Sequence, residues 1–325
     1  MHKFPLFHDR QQIVKIKNFL GKCRSVKRGV PQGSVLGPIL FIIYVNDLCN
    51  LDLVSKLTAF ADDTSVVAAA NSDVMLKQTL AQDLDKIILW FQQNKMTINI
   101  SKTKILKFNL SHPQDENFFL IIHSAACVLN RNNSTCTCNV IYSSSSVKYL
   151  GLHIDPGLTW SCHLSALQAS LRKINFAFYS LRNILPVNVL TRLYYSWYES
   201  RLQYGIVHWG GTFQYLIDKI QIFQNQILRT ILKLKKFDSV RQCYYQHDIL
   251  PVRLLYKYKV CVFVLKHLEL FDRCVKTTLH TRYQDKNLLT VPNMIKSRSR
   301  SCLCYSGPKI VNNVLINNNC GETDW

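Results

Sequence analysis

The sequence predicts an α+β chain, with short antiparallel strands and packed helices first and a mostly helical region after them. Three observations predict it. Thr-, Val- and Phe-rich runs flank turn residues at 57–61 and 64–70, the composition of half-buried strands. Apolar residues recur at three- and four-residue spacing over 72–95 and again over 219–236, the period of one helix face. Hydrophobic residues make up 48% of 325 residues, enough for one large or two modest cores. The pattern turns helical after Trp160, so the expected division is 1–155 and 156–325.

The elements follow in order. Ile13-Val14-Lys15-Ile16-Lys17 alternates apolar and basic residues, a strand pattern. Residues 35–48 read as a buried helix entered through the turn Pro31-Gln32-Gly33. Phe60-Ala61-Asp62-Asp63 sits between two apolar runs and reads as strand, tight turn, strand. In 72–95, Ser72 is the N-cap with Asp73 in the first turn, and Leu76, Leu80, Leu84, Ile87, Ile88 and Phe91 form one apolar face. Residues 98–108 read as strand, turn, strand. Residues 111–146 are in part Ser/Asn-rich and suit a surface insertion. Residues 148–155 read as a further strand. In 219–236, Ile220, Phe223, Ile227, Ile231 and Leu234 share one face, and Arg229, Lys233 and Lys236 share the opposite one.

The net charge is +20, a strong polyanion signal. Residues 171–325 carry 23 Lys/Arg against 9 Asp/Glu, so most of the excess lies in the helical half. The N-terminal residues have no apolar secretion signal, and the longest apolar run, 35–45, is interrupted by Gly37-Pro38 and is too short to span a bilayer. An intracellular protein of the nucleus or cytoplasm, without membrane partners, is expected. The 12 cysteines follow no compact framework, and most are expected to be reduced, buried thiols. Cys136-Thr137-Cys138 and Cys302-Leu303-Cys304 are C-x-C pairs with no His following at zinc-finger spacing, so no zinc site is expected. Asn133-Ser134-Thr135 fits a glycosylation sequon by chance.

The chemistry centres on Asp62 and Asp63. Adjacent carboxylates repel unless a cation neutralises them, and Mg²⁺ prefers one or two carboxylates plus substrate phosphates. In two-metal phosphoryl chemistry the ions lie roughly 3.5–4 Å apart and clamp the attacking and leaving oxygens. Taken alone, Asp-Asp is also ordinary hairpin-turn chemistry. Its surroundings decide: Arg28-Gly29-Val30-Pro31-Gln32-Gly33-Ser34-Val35-Leu36-Gly37-Pro38 and Tyr44-Val45-Asn46-Asp47-Leu48 precede it. Trp90, Asn94, Asn99, Lys102-Thr103-Lys104 and Lys148-Tyr149-Leu150-Gly151 follow it. In this order these segments closely resemble the palm of reverse transcriptases from non-LTR (LINE-type) retrotransposons, over about residues 10–155, with a looser match to about 315.

The resemblance implies an RNA-directed DNA polymerase: a partial palm, then a thumb-like region, working with an RNA template, a DNA primer, dNTPs and Mg²⁺ or Mn²⁺. It makes Asp62 and Asp63 the metal ligands, the first the stronger. It places Gln32, Gly33 and Ser34 near the incoming nucleotide and template, with Phe60 packing under the turn. Lys102 is either a general acid for departing pyrophosphate or a phosphate-binding surface lysine. Tyr149 and Gly151 steady the primer end or form a plain strand. Arg229, Lys233 and Lys236 face a template–primer duplex or solvent. The third carboxylate that two-metal chemistry needs belongs upstream of an Arg-x-Gln-x-Val strand, which Arg10-Gln11-Gln12-Ile13-Val14 fills. Asp9, the sole acid ahead of that strand, does not align with it. The chain by itself is therefore expected not to polymerise DNA, and to expose apolar surface and dissolve poorly. The alternative reading is a non-catalytic nucleic-acid-binding remnant, with Tyr194, Tyr195, Trp197, Tyr198, Tyr204 and Trp209 available for stacking on bases.

Overall fold

The computed structural model describes residues 10–26, 29–30, 33–108, 118–129, 138–272, 288–293 and 302–317. The chain forms two compact units, one of residues 1–104 and 117–142 and one of residues 105–116 and 143–325. The first holds β1 (Gln11–Gln12), β2 (Lys15–Ile16), β3 (Phe19–Leu20), β4 (Arg24–Ser25), α1 (Leu36–Val45), β5 (Lys56–Phe60), β6 (Asp63–Val67), α2 (Asp73–Gln93), β7 (Phe119–Ile122), α3 (Ala125–Leu129) and β8 (Asn139–Tyr142). The second holds β9 (Val147–Tyr149), β10 (Leu152–Ile154), α4 (Ser161–Leu181), α5 (Val187–Leu193), α6 (Ser200–Gln203), α7 (Ile206–Trp209), α8 (Gln214–Ile231), α9 (Arg241–Gln246), α10 (Val252–Lys266) and α11 (Leu303–Asn317). This is an α+β architecture. Its described strands pair two at a time, all antiparallel (β1 with β4, β2 with β3, β5 with β6, β7 with β8, β9 with β10), rather than in one continuous sheet.

Local sequence accounts for the helices of the first unit. Ser72 is extended and accepts the Met75 N–H at 3.3 Å, capping α2 as its position predicts. The buried side of α2 carries Ile87, Ile88 and Trp90. Ser34 Oγ accepts the Gly37 N–H at 3.1 Å and so starts α1. That helix forms where expected but is not buried: Ile39, Ile42 and Ile43 are 53%, 60% and 67% exposed. Apolar composition says that a face requires a partner, and no described element of the unit covers this one. Ile13, Val14, Ile16, Phe19 and Leu20 are exposed as well. Residues 98–108 form a turn without the expected strands; Ile105 makes only an isolated bridge to Ser143.

The hydrophobic core lies in the helical unit, from Trp160 through α4, α5, α8 and α10 to Val311. On α8, Ile220, Ile227 and Ile231 are essentially inaccessible, as their spacing requires. One polar network crosses this core. Gln224, fully buried, donates to Tyr194 Oη at 2.8 Å and to the Leu250 carbonyl at 2.9 Å, and accepts from the Val252 N–H at 3.1 Å. Buried amides are tolerable only when satisfied in this way. Among the described residues no helix is long and apolar enough to cross a membrane.

Candidate functional site

β5 and β6 pair from Lys56↔Val67 to Phe60↔Asp63, leaving Ala61 and Asp62 as a two-residue turn. Asp62 therefore stands at the tip and Asp63 on the first rung of the returning strand. Ala61 has φ +51°, a left-handed conformation that costs an L-residue roughly 1–2 kcal/mol. Strain of this kind persists only where the surroundings fix it. Replacing Ala61 with Gly is expected to stabilise the hairpin by about 1 kcal/mol, read as slower amide exchange of the β5–β6 rungs; unchanged or faster exchange would contradict the strain.

The hairpin is anchored from α2. Asp83, 1% exposed, accepts the Ser55 N–H at 2.7 Å and the Val54 N–H at 3.2 Å, immediately before β5. Burial pushes its carboxyl up, but the Ser55 and Val54 donors outweigh burial and hold it below the usual carboxylate range. Sequence reading missed Asp83; its signal was an acid on the apolar side of an amphipathic helix. Two flagged segments also meet here. Trp90 Nε1 donates to Asp47 Oδ2 at 3.3 Å, and the Tyr44 hydroxyl donates to the Asn94 carbonyl. The Tyr44-to-Leu48 motif is thus a splice between the end of α1 and the end of α2, with Leu48 1% exposed at its centre.

Among the described residues, neither the Asp62 nor the Asp63 carboxylate has a hydrogen bond or ion pair, and both residues are exposed. Two hard, accessible carboxylate donors fit Mg²⁺ or Mn²⁺ chemistry, with water and phosphate oxygens completing the shell. Phe60 is 62% exposed; it is largely open to solvent rather than packed under the turn, at the end of its strand opposite Asp63. Lys102 is exposed in a turn built by Asn99, whose Oδ1 accepts the Lys102 N–H at 3.3 Å and the Ser101 hydroxyl at 2.7 Å. Gly33 lies at φ +81° with open space around it, and Ser34 Oγ is engaged with the Gly37 N–H in the first turn of α1. Gln32 lies outside the described residues.

The remaining candidates belong to the helical unit. Tyr149 pairs with Leu152 across a turn of Leu150 and Gly151, at φ +45° and +83°, the two positive angles of a type I′ hairpin. The Tyr204 ring packs on Gly151, and its hydroxyl donates to the Leu150 carbonyl. Arg229, Lys233 and Lys236 do not share one helical face, because α8 ends at Ile231. Lys233 takes φ +55° and the Leu234 N–H closes on the Arg229 carbonyl at 2.9 Å, a Schellman stop. Arg229 Nε donates to the Asp238 carbonyl at 3.1 Å. Of the six aromatics considered for stacking, Tyr194, Tyr198 and Trp209 are buried completely. Tyr195 is bonded to the His247 carbonyl at 2.6 Å. Trp197 remains 46% exposed and lines a groove of about 490 Å³ with Lys173 and Arg201, two basic residues that sequence reading did not single out.

Residues 2–154 match the profile of the family described as reverse transcriptase (RNA-dependent DNA polymerase). Over this segment the chain is similar to a reverse transcriptase domain. Its relatives agree with the non-LTR resemblance. The chain is 27% identical over 224 residues to the RNA-directed DNA polymerase from mobile element jockey of Drosophila funebris, covering 64% of this chain and 23% of that protein. It is 26% identical over 229 residues to a probable RNA-directed DNA polymerase from transposon X-element of Drosophila melanogaster, covering 68% and 24%. It is 22% identical over 286 residues to a retrovirus-related Pol polyprotein from type-1 retrotransposable element R1 of Nasonia vitripennis, covering 84% and 77%. The chain thus spans about a quarter of the length of the first two relatives. No solved structure gives a significant match. The match ends at Ile154, the last residue of β10, whereas the compact units divide at 142/143, so the β9–β10 hairpin falls within the matched segment and packs with the helices.

Proposed function

We propose that this chain is part of an RNA-directed DNA polymerase of a non-LTR retrotransposon, with residues 1–155 contributing to the palm and 156–325 forming a thumb-like region. The observation that carries this reading is the β5–β6 hairpin, which presents Asp62 and Asp63, accessible and adjacent, inside the segment that matches the family. Asp62 and Asp63 hold the divalent ion, Mg²⁺ or Mn²⁺, which when bound neutralises the phosphates and activates the primer hydroxyl. Gln32, Gly33 and Ser34 border the nucleotide, with Phe60 exposed beside the carboxylates. Lys102 donates to a phosphate oxygen or to the departing pyrophosphate. Tyr149 and Gly151 steady the primer end. Arg229, Lys233 and Lys236 contact phosphates of the RNA template and DNA primer, and Lys173, Arg201 and Trp197 add a groove suited to a backbone and a stacked base.

The 325 residues by themselves offer two carboxylates at one corner, and in-line transfer with two ions calls for a third on another strand. Primer extension is therefore expected to be absent from this chain alone. It is expected to appear in a longer product whose upstream sequence supplies that carboxylate, and to fall by about 10²–10³-fold on Asp62→Asn in that product. Extension by the longer product that survives Asp62→Asn would remove the metal-ligand assignment. A second reading, nucleic-acid binding without catalysis, is favoured by the basic excess of residues 171–325. It predicts salt-sensitive binding with no extension from either product.

A further inference from the structure

Outside the carboxylate hairpin, β7, α3 and β8 bring three metal-ligating side chains together. His123 directly follows β7, Cys127 lies on α3, and Cys138 directly precedes β8. Their ligand atoms all lie within 4.8 Å of one another, and all three residues are half-buried. We propose that His123, Cys127 and Cys138 form a Zn²⁺ site that ties the end of the β7–β8 hairpin to α3.

The geometry is close to that of a bound ion. With Zn–S near 2.3 Å and Zn–N near 2.0–2.1 Å in a tetrahedron, an imidazole nitrogen and a thiolate sulfur sit about 3.5 Å apart and two sulfurs about 3.8 Å apart. His123 Nδ1 and Cys127 Sγ are already 3.4 Å apart. Register explains the approach. Ile122 pairs with Asn139, so His123 and Cys138 occupy the next rung, beyond the last paired residues. Ser124 then starts α3: its Oγ accepts the Cys127 N–H at 3.2 Å, its carbonyl accepts the Val128 N–H at 2.9 Å, and this first turn swings Cys127 back over the rung.

The surroundings suit thiolate. The Ser124 N–H donates to Cys138 Sγ at 3.4 Å, and a donor to the charged form favours that form. Two thiolates and one imidazole are a soft set that selects Zn²⁺ over the Mg²⁺ or Mn²⁺ fitted to Asp62 and Asp63. Binding releases two thiol protons and gives a neutral centre, Zn²⁺ against two thiolate charges, with solvent as the fourth ligand. Sequence reading rejected zinc by looking for a histidine after Cys136-Thr137-Cys138; the histidine comes before, contributed by the opposite strand.

The full chain, reduced and stripped by chelator, is titrated with Co²⁺ and then Zn²⁺. One equivalent of Co²⁺ is expected to give a thiolate-to-cobalt charge-transfer band that Zn²⁺ displaces. Cys127→Ser and Cys138→Ser each abolish it, and the double change Cys302→Ser with Cys304→Ser leaves it intact. In the unmutated chain, Zn²⁺ is expected to slow alkylation of Cys127 and Cys138 at least tenfold, read peptide by peptide, a measurement that does not depend on any variant folding. Equal alkylation with and without Zn²⁺, or a cobalt band that survives loss of both cysteines, overturns the site.

Discussion

Gly205→Ala is expected to destabilise the helical unit by about 2–4 kcal/mol. Two costs combine at this position. Gly205 has φ +62°, where a side chain costs roughly 1–2 kcal/mol. A Cβ there would also stand 2.7 Å from Leu152 Cδ2 and 2.9 Å from Leu152 Cδ1, an overpacking of the kind that costs typically 1–3 kcal/mol. The contact has a counterpart on the facing hairpin, where a Cβ on Gly151 would stand 3.1 Å from Tyr204 Cε1. Tyr204-Gly205 and Gly151-Leu152 are thus two complementary steps, each glycine receiving the partner's side chain. Trp160, Trp197 and Trp209 lie in the helical unit and Trp90 in the other, so urea unfolding followed by fluorescence in a Trp90→Phe background reports the helical unit, with a midpoint lower by roughly 1 M. Shortening the partner with Leu152→Val in the same background should restore only the collision part and leave about 1 kcal/mol of backbone strain. A midpoint unchanged by Gly205→Ala would show that this junction carries no such constraint.

That junction also shows what the sequence could disclose. Tyr149-Leu150-Gly151 stood out as a motif and Tyr204 as an aromatic available for stacking, with Leu150 and Tyr204 54 residues apart, but only the fold reveals that one seats the other. Local signals were the most legible. Ser72 and the apolar spacing of 72–95 sufficed for α2, and Phe60 to Asp63 sufficed for the hairpin, because caps, turns and periodicity are written in consecutive residues. Burial was less legible. The apolar run of α1 looked like core yet lies exposed, since a stretch of sequence records its own hydrophobicity and not its neighbour's position. Helix ends were missed where an unusual residue took the stop: Lys233 adopts the left-handed conformation that Gly normally occupies, so Arg229, Lys233 and Lys236 were assigned to one face they do not share. Long-range pairing was the least legible: an acid on the apolar side of α2 marks Asp83, but nothing in consecutive residues names Ser55 as its partner or joins His123 to Cys138.

Acidification is expected to weaken the helical unit through His163. This residue is 7% exposed in the first turn of α4, and its Nδ1 has no hydrogen-bond partner among the described residues. Around it stand the rings of Trp160, Trp209 and His153, at centroid separations of 6.3, 6.1 and 6.5 Å. Burial first, and the His153 charge second, push its pKa from 6.5 down to about 4. The unfolded chain therefore binds more protons than the folded one between these two values, and stability rises with pH across that window. The contribution is fully present above pH 6.5 and lost as the pH falls towards 4, amounting to about 3 kcal/mol. His208, lowered by burial, acts in the same direction. Glu199, whose carboxyl burial pushes up, acts in the opposite one. The raw slope is thus a composite, and the difference between the unmutated chain and His163→Gln isolates the histidine. Urea unfolding at pH 7.5 and pH 4.5 should show the unmutated chain losing about 2–3 kcal/mol more than the variant. Equal losses in the two proteins would mean that His163 keeps its ordinary affinity for protons inside the fold, and that the aromatic pocket around it admits charge.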